Sequence, residues 1–279
     1  MLIDMKSILI DATKKGYGVV APNVSDAYTI KACFDAANEV KAPLVIDAGG
    51  NLDYDFIGET VRFYSNRYPQ MPVALNLDHG KSLDQIMVAI RAGFTSVMID
   101  KSSCSFEENV EATAEIVRIA HKVGGTVEAE LGHVGREGEE NNDQNVYTEP
   151  KEAARFVELT GVDCLAIAIG TSHGHYKGEP HLELGILDDI RRSVDVPLVL
   201  HGGSSTGDEN LKKAIKHGIS KINIGTDLGD AGVSSLMKFI DETDINTRFY
   251  LSKAMDATYI GWKEKLKHYL IAFGEENRW

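Results

Sequence analysis

Cysteine is scarce in this 279-residue chain, with only Cys33, Cys104 and Cys164 at wide spacing. An odd, dispersed set excludes a disulfide framework and a cysteine zinc knot, and all three are read as reduced, packed thiols. Basic residues are outnumbered, 29 Lys and Arg against 42 Asp and Glu, for a formal charge of −13. Nucleic acid is therefore not expected as a partner, although an anionic ligand stays open where backbone donors and a metal overcome the global field. No apolar run is long enough to cross a bilayer, so no membrane partner is expected either. The opening Met-Leu-Ile-Asp-Met-Lys-Ser lacks the basic stretch, apolar core and cleavage site of a secretory signal, which makes the cytoplasm the expected location.

What the chain does have is a hydrophobic content of 43% and a length suited to one large core. Eight short strand-like runs can be marked: 19–22, 43–47, 73–77, 96–100, 126–131, 164–169, 198–201 and 221–224. Segments of helical periodicity lie between them. Ser82 to Gln85 has the form of a capping box, and the apolar positions Ile86, Val88, Ala89 and Ile90 lead to Gly93, a natural left-handed helix end. The same helix, glycine, strand order recurs at Gly124, Gly161 and Gly218. Repeated βα units with right-handed crossovers predict an α/β fold, a (β/α)8 TIM barrel, as a single domain over residues 1–279. The tail 230–279, with helical patterns near 233–240 and 257–272, is expected to pack outside the barrel as a helical extension at a subunit interface. Gly135 to Thr148 is too polar for the core and reads as a mobile loop over the strand ends.

At the carboxyl ends of these runs stand Asn23, Asp47, Asp78 with His79, Asp100, Glu130, His173, His201 and Asn223, whereas the opposite ends hold no His or acid. This asymmetry assigns chemistry to one face, because strand ends converge there in a barrel. His79, His173 and His201 each precede a glycine, and three imidazoles from three strands suit a zinc ion with an open position. Single histidines on helices, His121, His217 and His268, are read as surface side chains, and His175 as a near neighbour of His173 without a ligand role. Asp78 either exchanges a proton with a substrate hydroxyl or supports a histidine or a helix start. Small residues in His201-Gly-Gly-Ser-Ser-Thr and Asn223-Ile-Gly-Thr-Asp let backbone N–H groups approach a phosphate at the position where barrels commonly bind one. Lys177 either adds a positive charge nearby or is a solvated lysine.

Taken together, Leu-Asp-His-Gly, Glu-Ala-Glu-Leu-Gly, Ala-Ile-Gly-Thr-Ser-His-Gly, Leu-His-Gly-Gly-Ser and Lys-Ile-Asn-Ile-Gly-Thr resemble the class II, zinc-dependent ketose-bisphosphate aldolases, the fructose- and tagatose-bisphosphate aldolase group. The resemblance runs from about Gly18 to about Leu228. It implies reversible cleavage of a phosphorylated ketose to dihydroxyacetone phosphate and an aldehyde. His79, His173 and His201 would hold Zn²⁺, with Asp100 and Glu130 near it as ligands of a second or displaced ion. Asp78 would exchange the proton of the substrate C4 hydroxyl while the metal stabilises the enediolate. Gly174, Gly202, Gly203, Ser204, Asn223, Ile224, Gly225 and Thr226 would hold dihydroxyacetone phosphate, with a monovalent cation close by. A homodimer or homotetramer is expected.

Some positions depart from the family pattern. The loop acid that handles the enediolate proton usually follows Gly-Gly and a variable residue. Here the count from Glu130 arrives at Gly138, flanked by Glu137 and Glu139, and both glutamates remain candidates. Asn76 stands where many relatives have His, and Asp47-Ala-Gly49 replaces a common Gln-Val-Ser. These changes bear on the substrate more than on the metal. An aldolase for another phosphorylated sugar or sugar acid, a zinc hydrolase, and a non-catalytic sugar-phosphate-binding barrel are the alternatives.

Overall fold

In the computed structural model, which describes residues 2–135, 147–176, 178, 180–243 and 250–279, eight strands form one parallel sheet. They are β1 (Val19–Pro22), β2 (Leu44–Gly49), β3 (Val73–Gly80), β4 (Ser96–Ile99), β5 (Thr126–Leu131), β6 (Cys164–Ile167), β7 (Leu198–Leu200) and β8 (Ile219–Ile224). Each is followed by a helix: α2 (Ala27–Val40), α3 (Tyr54–Arg67), α4 (Leu83–Arg91), α5 (Phe106–Lys122), α6 (Pro150–Thr160), α7 (Leu184–Ser193), α8 (Asp208–Lys216) and α9 (Thr226–Glu242). Before and after them come α1 (Met5–Lys15) and α10 (Leu251–Ala272). The ladder runs β1-β8-β7-β6-β5-β4-β3-β2. The ring closes between β1 and β2 through the single bridge Asn23 to Asp47, where Val24 N donates to Asp47 O at 2.9 Å.

The strands are buried on both faces, and their alternate residues divide into two packings. Val20, Leu44, Ile46, Val73, Leu75 and Leu77 face the helices. Smaller residues, Val19, Ala21, Val45, Ala74, Cys164, Ala166 and Val199, fill the amino-terminal end of the barrel interior, where Met5, Ile8, Leu9 and Ala12 of α1 pack against them. Burial of each large side chain in that plug contributes about 1.5–3 kcal/mol. Helix α1 starts where the Asp4 carboxylate accepts from Ser7 N at 2.8 Å and ends at Gly16, whose φ of +70° suits a residue without Cβ.

The expected barrel and element order are present, with local differences. Strand β3 continues to Gly80 instead of stopping at Leu77, because its register against β4 shifts between Leu77 and Gly80. At α4 the Ser82 hydroxyl accepts from Gln85 N, but the Gln85 side chain returns to Lys81 N, so the capping box is only half formed. Residue 230 falls inside α9, the eighth barrel helix, and the extension proper is α10, packed on α9, α2 and β1. Cys33 and Cys164 are buried thiols, whereas Cys104 is exposed and not packed as expected.

Candidate active site

The carboxyl ends of the strands carry a buried polar layer built from inward-facing positions of β1, β2, β3, β5, β7 and β8. At the end of β3, His79 takes a left-handed backbone conformation, φ +49°, inside the register shift. In a regular strand Asp78 and His79 would point apart. Here the turn brings His79 Nε2 to 4.0 Å from Asp78 Oδ1. Gly80 is required just after it, since a Cβ there would lie 2.4 Å from Met98 O.

Three histidine rings meet above the barrel mouth. His79 lies 4.7 Å from His201 and 5.3 Å from His173 between ring centroids, and one nitrogen from each falls within 4.8 Å of the others. Carboxylates determine which nitrogens face inward. His79 Nδ1 pairs with Asp100 Oδ2 at 2.7 Å, and His201 Nε2 pairs with Glu128 Oε1 at 2.9 Å. The remaining nitrogens, His79 Nε2 and His201 Nδ1, are buried without a hydrogen-bond partner, as is Glu130 Oε2. His201 Nδ1 and Glu130 Oε2 approach to 3.0 Å without hydrogen-bond geometry. Orphaned buried polar atoms are costly, and a cation between them removes the cost. Imidazole nitrogens held by carboxylates from behind are the ligand set that suits zinc.

Asp100 has both oxygens engaged, with Oδ1 accepting from Ser102 N and Oγ. It orients His79, although His79, Asp100 and Glu130 also offer atoms within 4.8 Å of one another. Burial and the neighbouring His201 and His79 rings push His173 down to about 4, leaving it neutral, the form a ligand needs. Burial opposes charge on His201, but Glu128 and Glu130 on either side hold its proton affinity well above the ordinary value. A cation held by His201 would have to displace that proton. His175 is turned away and exposed, 3.4 Å from Asp230, while His121, His217 and His268 pair with Asp163, Asp188 and Asp208.

Asp78 sits beside this cluster, 6% exposed. Its Oδ2 accepts from Asn23 Nδ2 at 2.7 Å and its Oδ1 from Asn223 Nδ2 at 3.1 Å. Burial would raise its carboxyl, but the facing His79, His201 and Lys221 and the Asn23 hydrogen bond hold it well below the usual carboxylate range.

The glycine loops after β7 and β8 are locked together. Gly203 N donates to Asn223 O at 3.2 Å, and Ser204 Oγ accepts from Gly225 N and Asp227 N, each at 3.2 Å. Gly202 and Gly203 leave no room for a Cβ, which would meet Ser172 O at 2.6 Å and Ile222 Cγ2 at 2.5 Å. Thr226 opens α9, where Ser204 Oγ takes Gly225 N and Asp227 N in place of a cap from the glycine at the helix start. Gly174 has φ +90° and open space around it. Ile224 is fully buried, and its carbonyl accepts from Asn23 N at 3.2 Å. Glu137, Glu139 and Lys177 lie outside the described residues.

Two site residues were not anticipated: Glu128 behind His201, and Lys221, fully buried, hydrogen-bonded to Glu128 Oε2 at 2.9 Å and ion-paired with Asp47 Oδ2 at 3.0 Å. Their signal was a charge at an inward position of an apolar strand, in Thr-Val-Glu-Ala-Glu-Leu and Ile-Ser-Lys-Ile-Asn-Ile.

Fold and donor set thus define a (β/α)8 barrel enzyme with a group of side chains that could hold a metal ion beside a buried carboxylate. A family model described as class-II fructose-bisphosphate aldolase matches residues 3–278. Fructose-bisphosphate aldolase of Helicobacter pylori is 39% identical over 100% of both chains, and that of Staphylococcus epidermidis is 38% identical over 99% of each. Among solved structures, the YdjI aldolase of Escherichia coli K12 superposes with a TM-score of 0.88 at 35% identity, covering 100% of this chain and 99% of its own. The chain belongs to the class II fructose-bisphosphate aldolase family, a family of lyases. Among the described residues no helix is long and apolar enough to cross a membrane.

Proposed function

We propose that this protein reversibly cleaves a phosphorylated ketose of the fructose- or tagatose-1,6-bisphosphate type to dihydroxyacetone phosphate and an aldehyde, with zinc held by His79, His173 and His201. The observation that carries the reading is the pair of orphaned nitrogens, His79 Nε2 and His201 Nδ1, converging beside the buried Asp78 carboxylate. When bound there, a zinc ion supplies Lewis-acid polarisation of the ketone oxygen, worth several kcal/mol.

The remaining work falls to the chain. Gly202, Gly203, Ser204, Gly225 and Thr226 line the phosphate side, where Gly203 N and Gly225 N tie the two loops together, and Gly174, Asn223 and Ile224 complete that side. Asp78 takes the proton of the C4 hydroxyl as the C3–C4 bond breaks, and Asn23 and Asn223 keep both its oxygens aimed. In the return direction the same carboxyl gives the proton back. Glu137 or Glu139 exchanges the proton at C3 of the dihydroxyacetone phosphate half, and Lys177 lends charge near the phosphate. Glu130, through its free Oε2, offers an alternative metal contact. On the far side of the metal from the β7 and β8 loops, a recess lined by Gly50, Asn51, Tyr54, Lys81, Ser82 and Gln85 opens next to His79 and receives the aldehyde half. Assembly into a homodimer or homotetramer is supported by Val233, Met237 and Ile240, which share an exposed face of α9.

The test is an assay of the zinc-loaded protein with fructose and tagatose 1,6-bisphosphates, reading dihydroxyacetone phosphate through a coupled reductase. Its release from either ketose supports the reading. Release of inorganic phosphate with no dihydroxyacetone phosphate would instead identify a hydrolase.

A further inference from the structure

Below the metal-binding layer the barrel interior holds a buried run of charges. Lys221 Nζ stands between Asp47 Oδ2 at 3.0 Å and Glu128 Oε2 at 2.9 Å, and all three side chains are fully buried. Asn76 Nδ2 donates to the other Asp47 oxygen at 2.9 Å, and the other Glu128 oxygen meets His201 Nε2 at 2.9 Å. The layer beneath is apolar, formed by Val19, Val45, Ala74, Ala166 and Val199. A charged group buried this deeply persists only when it is paired on all sides.

We infer that Lys221 is a positioning residue for the metal site, fixing Glu128 so that His201 presents Nδ1 rather than Nε2 to the ion. A carboxylate with one oxygen unheld can rotate about its last bond. In Glu128 the ammonium of Lys221 anchors Oε2, which leaves Oε1 aimed at the His201 Nε2–H. With Nε2 committed as donor, the lone pair belongs to Nδ1, the nitrogen that faces His79 and Glu130. Without the ammonium, Glu128 Oε2 and Asp47 Oδ2 share one dry layer with no donor between them. Their repulsion turns Glu128 away, and the imidazole loses the contact that decides which nitrogen faces the metal. The contacts of Lys221 go to Glu128 and Asp47, so its effect on the ion site passes through Glu128 and His201, while its charge also acts on Asp78.

The inference rests on the reading that His201 binds the ion, and the two fail differently. Zinc affinity of the apo-protein is measured by competition with a chromophoric chelator for wild type, His201→Ala, Glu128→Gln, Lys221→Met and the double variant Glu128→Gln/Lys221→Met. The visible spectrum of the Co²⁺ form reports ligand geometry. Loss of an outer-shell partner typically weakens binding 10–100-fold, so about tenfold weaker zinc binding is expected for Lys221→Met, with an altered Co²⁺ spectrum. Because both side chains act in one relay, the double variant should bind no more weakly than Glu128→Gln, within about twofold. Folded Lys221→Met with wild-type zinc affinity and spectrum overturns the inference, as do losses that multiply in the double variant. Should Lys221→Met fail to fold, Lys221→Gln keeps a donor without the charge and is judged by the same outcomes. Wild-type zinc binding by His201→Ala would overturn the ligand assignment itself.

Discussion

Replacing Asp78 with Asn changes one atom of the side chain and removes the capacity to accept a proton. In the native site two amide donors, Asn23 Nδ2 at 2.7 Å and Asn223 Nδ2 at 3.1 Å, converge on the two carboxylate oxygens. An Asn at 78 can satisfy one of them through Oδ1 but turns its own NH2 toward the other, which costs about 1–3 kcal/mol of stability if neither neighbour flips. The larger effect is on turnover. A positioned general base contributes roughly 10²–10⁴ in rate, or about 3–5 kcal/mol of barrier. Asp78→Asn should therefore lower kcat by about 10²–10⁴ while KM changes little. Zinc should stay, because Asp78 belongs to neither group of side chains that could hold an ion, His79 with His173 and His201 or His79 with Asp100 and Glu130. Steady-state rates from a coupled assay for dihydroxyacetone phosphate, paired with zinc analysis of the same preparation, separate the two effects. A zinc-replete variant retaining turnover within about tenfold of wild type would refute the assignment of Asp78 as the base.

Stripping the metal with a chelator should abolish cleavage, and adding Zn²⁺ should restore it. The affinity should fall as pH is lowered, because His201 holds a proton that the ion must displace; isothermal titration at several pH values measures this. Gly203→Ala would place a Cβ 2.5 Å from Ile222 Cγ2 and 2.8 Å from Asn223 O, forcing the loops after β7 and β8 apart. The expected cost is about 1–3 kcal/mol in thermal unfolding, with a raised KM for the ketose phosphate. Glu275 is fully buried, and its one bonded oxygen accepts from Val20 N at 2.9 Å, so burial pushes its carboxyl well above the ordinary value despite that bond. A raised folded-state value means stability that is fully present below the unfolded carboxylate range and lost as pH rises from there through the raised folded value. The unfolding temperature of Glu275→Gln should therefore lack this decline, and parallel pH profiles for the two proteins would contradict it.

Much of this arrangement is written locally. The β-branched runs, the glycines closing helices and the histidine before each of three glycines are short-range patterns, and they identify the barrel and the histidine cluster. Three features escape such patterns. His79 reaches Asp78 only because the strand shifts register and turns left-handed at that residue, a tertiary demand that no propensity encodes. Helix α1 plugs the amino-terminal end of the barrel, yet its sequence, Met-Lys-Ser-Ile-Leu-Ile-Asp-Ala-Thr-Lys-Lys, reads as an ordinary amphipathic helix. Glu128 and Lys221 are legible only as charges out of place, since their meaning depends on each other across 93 residues of chain. The assignment of the proton-handling acid among Glu137 and Glu139 falls outside the described residues and rests on counting from Glu130.

The junction between β1 and β2 has a consequence for the far end of the chain. A hoop fastened at one point opens there first, and this clasp is a single bridge at Asn23 and Asp47. The last residues are strapped across it: Gly18 N donates to Phe273 O at 3.0 Å, Glu275 takes Val20 N, and Asn277 N reaches Val40 O at 2.9 Å. Asn23, at the clasp, also holds Asp78. The carboxyl-terminal residues therefore bear mechanically on the Asp78 carboxylate, and amide exchange along β1 becomes a readout of how firmly that side chain is held.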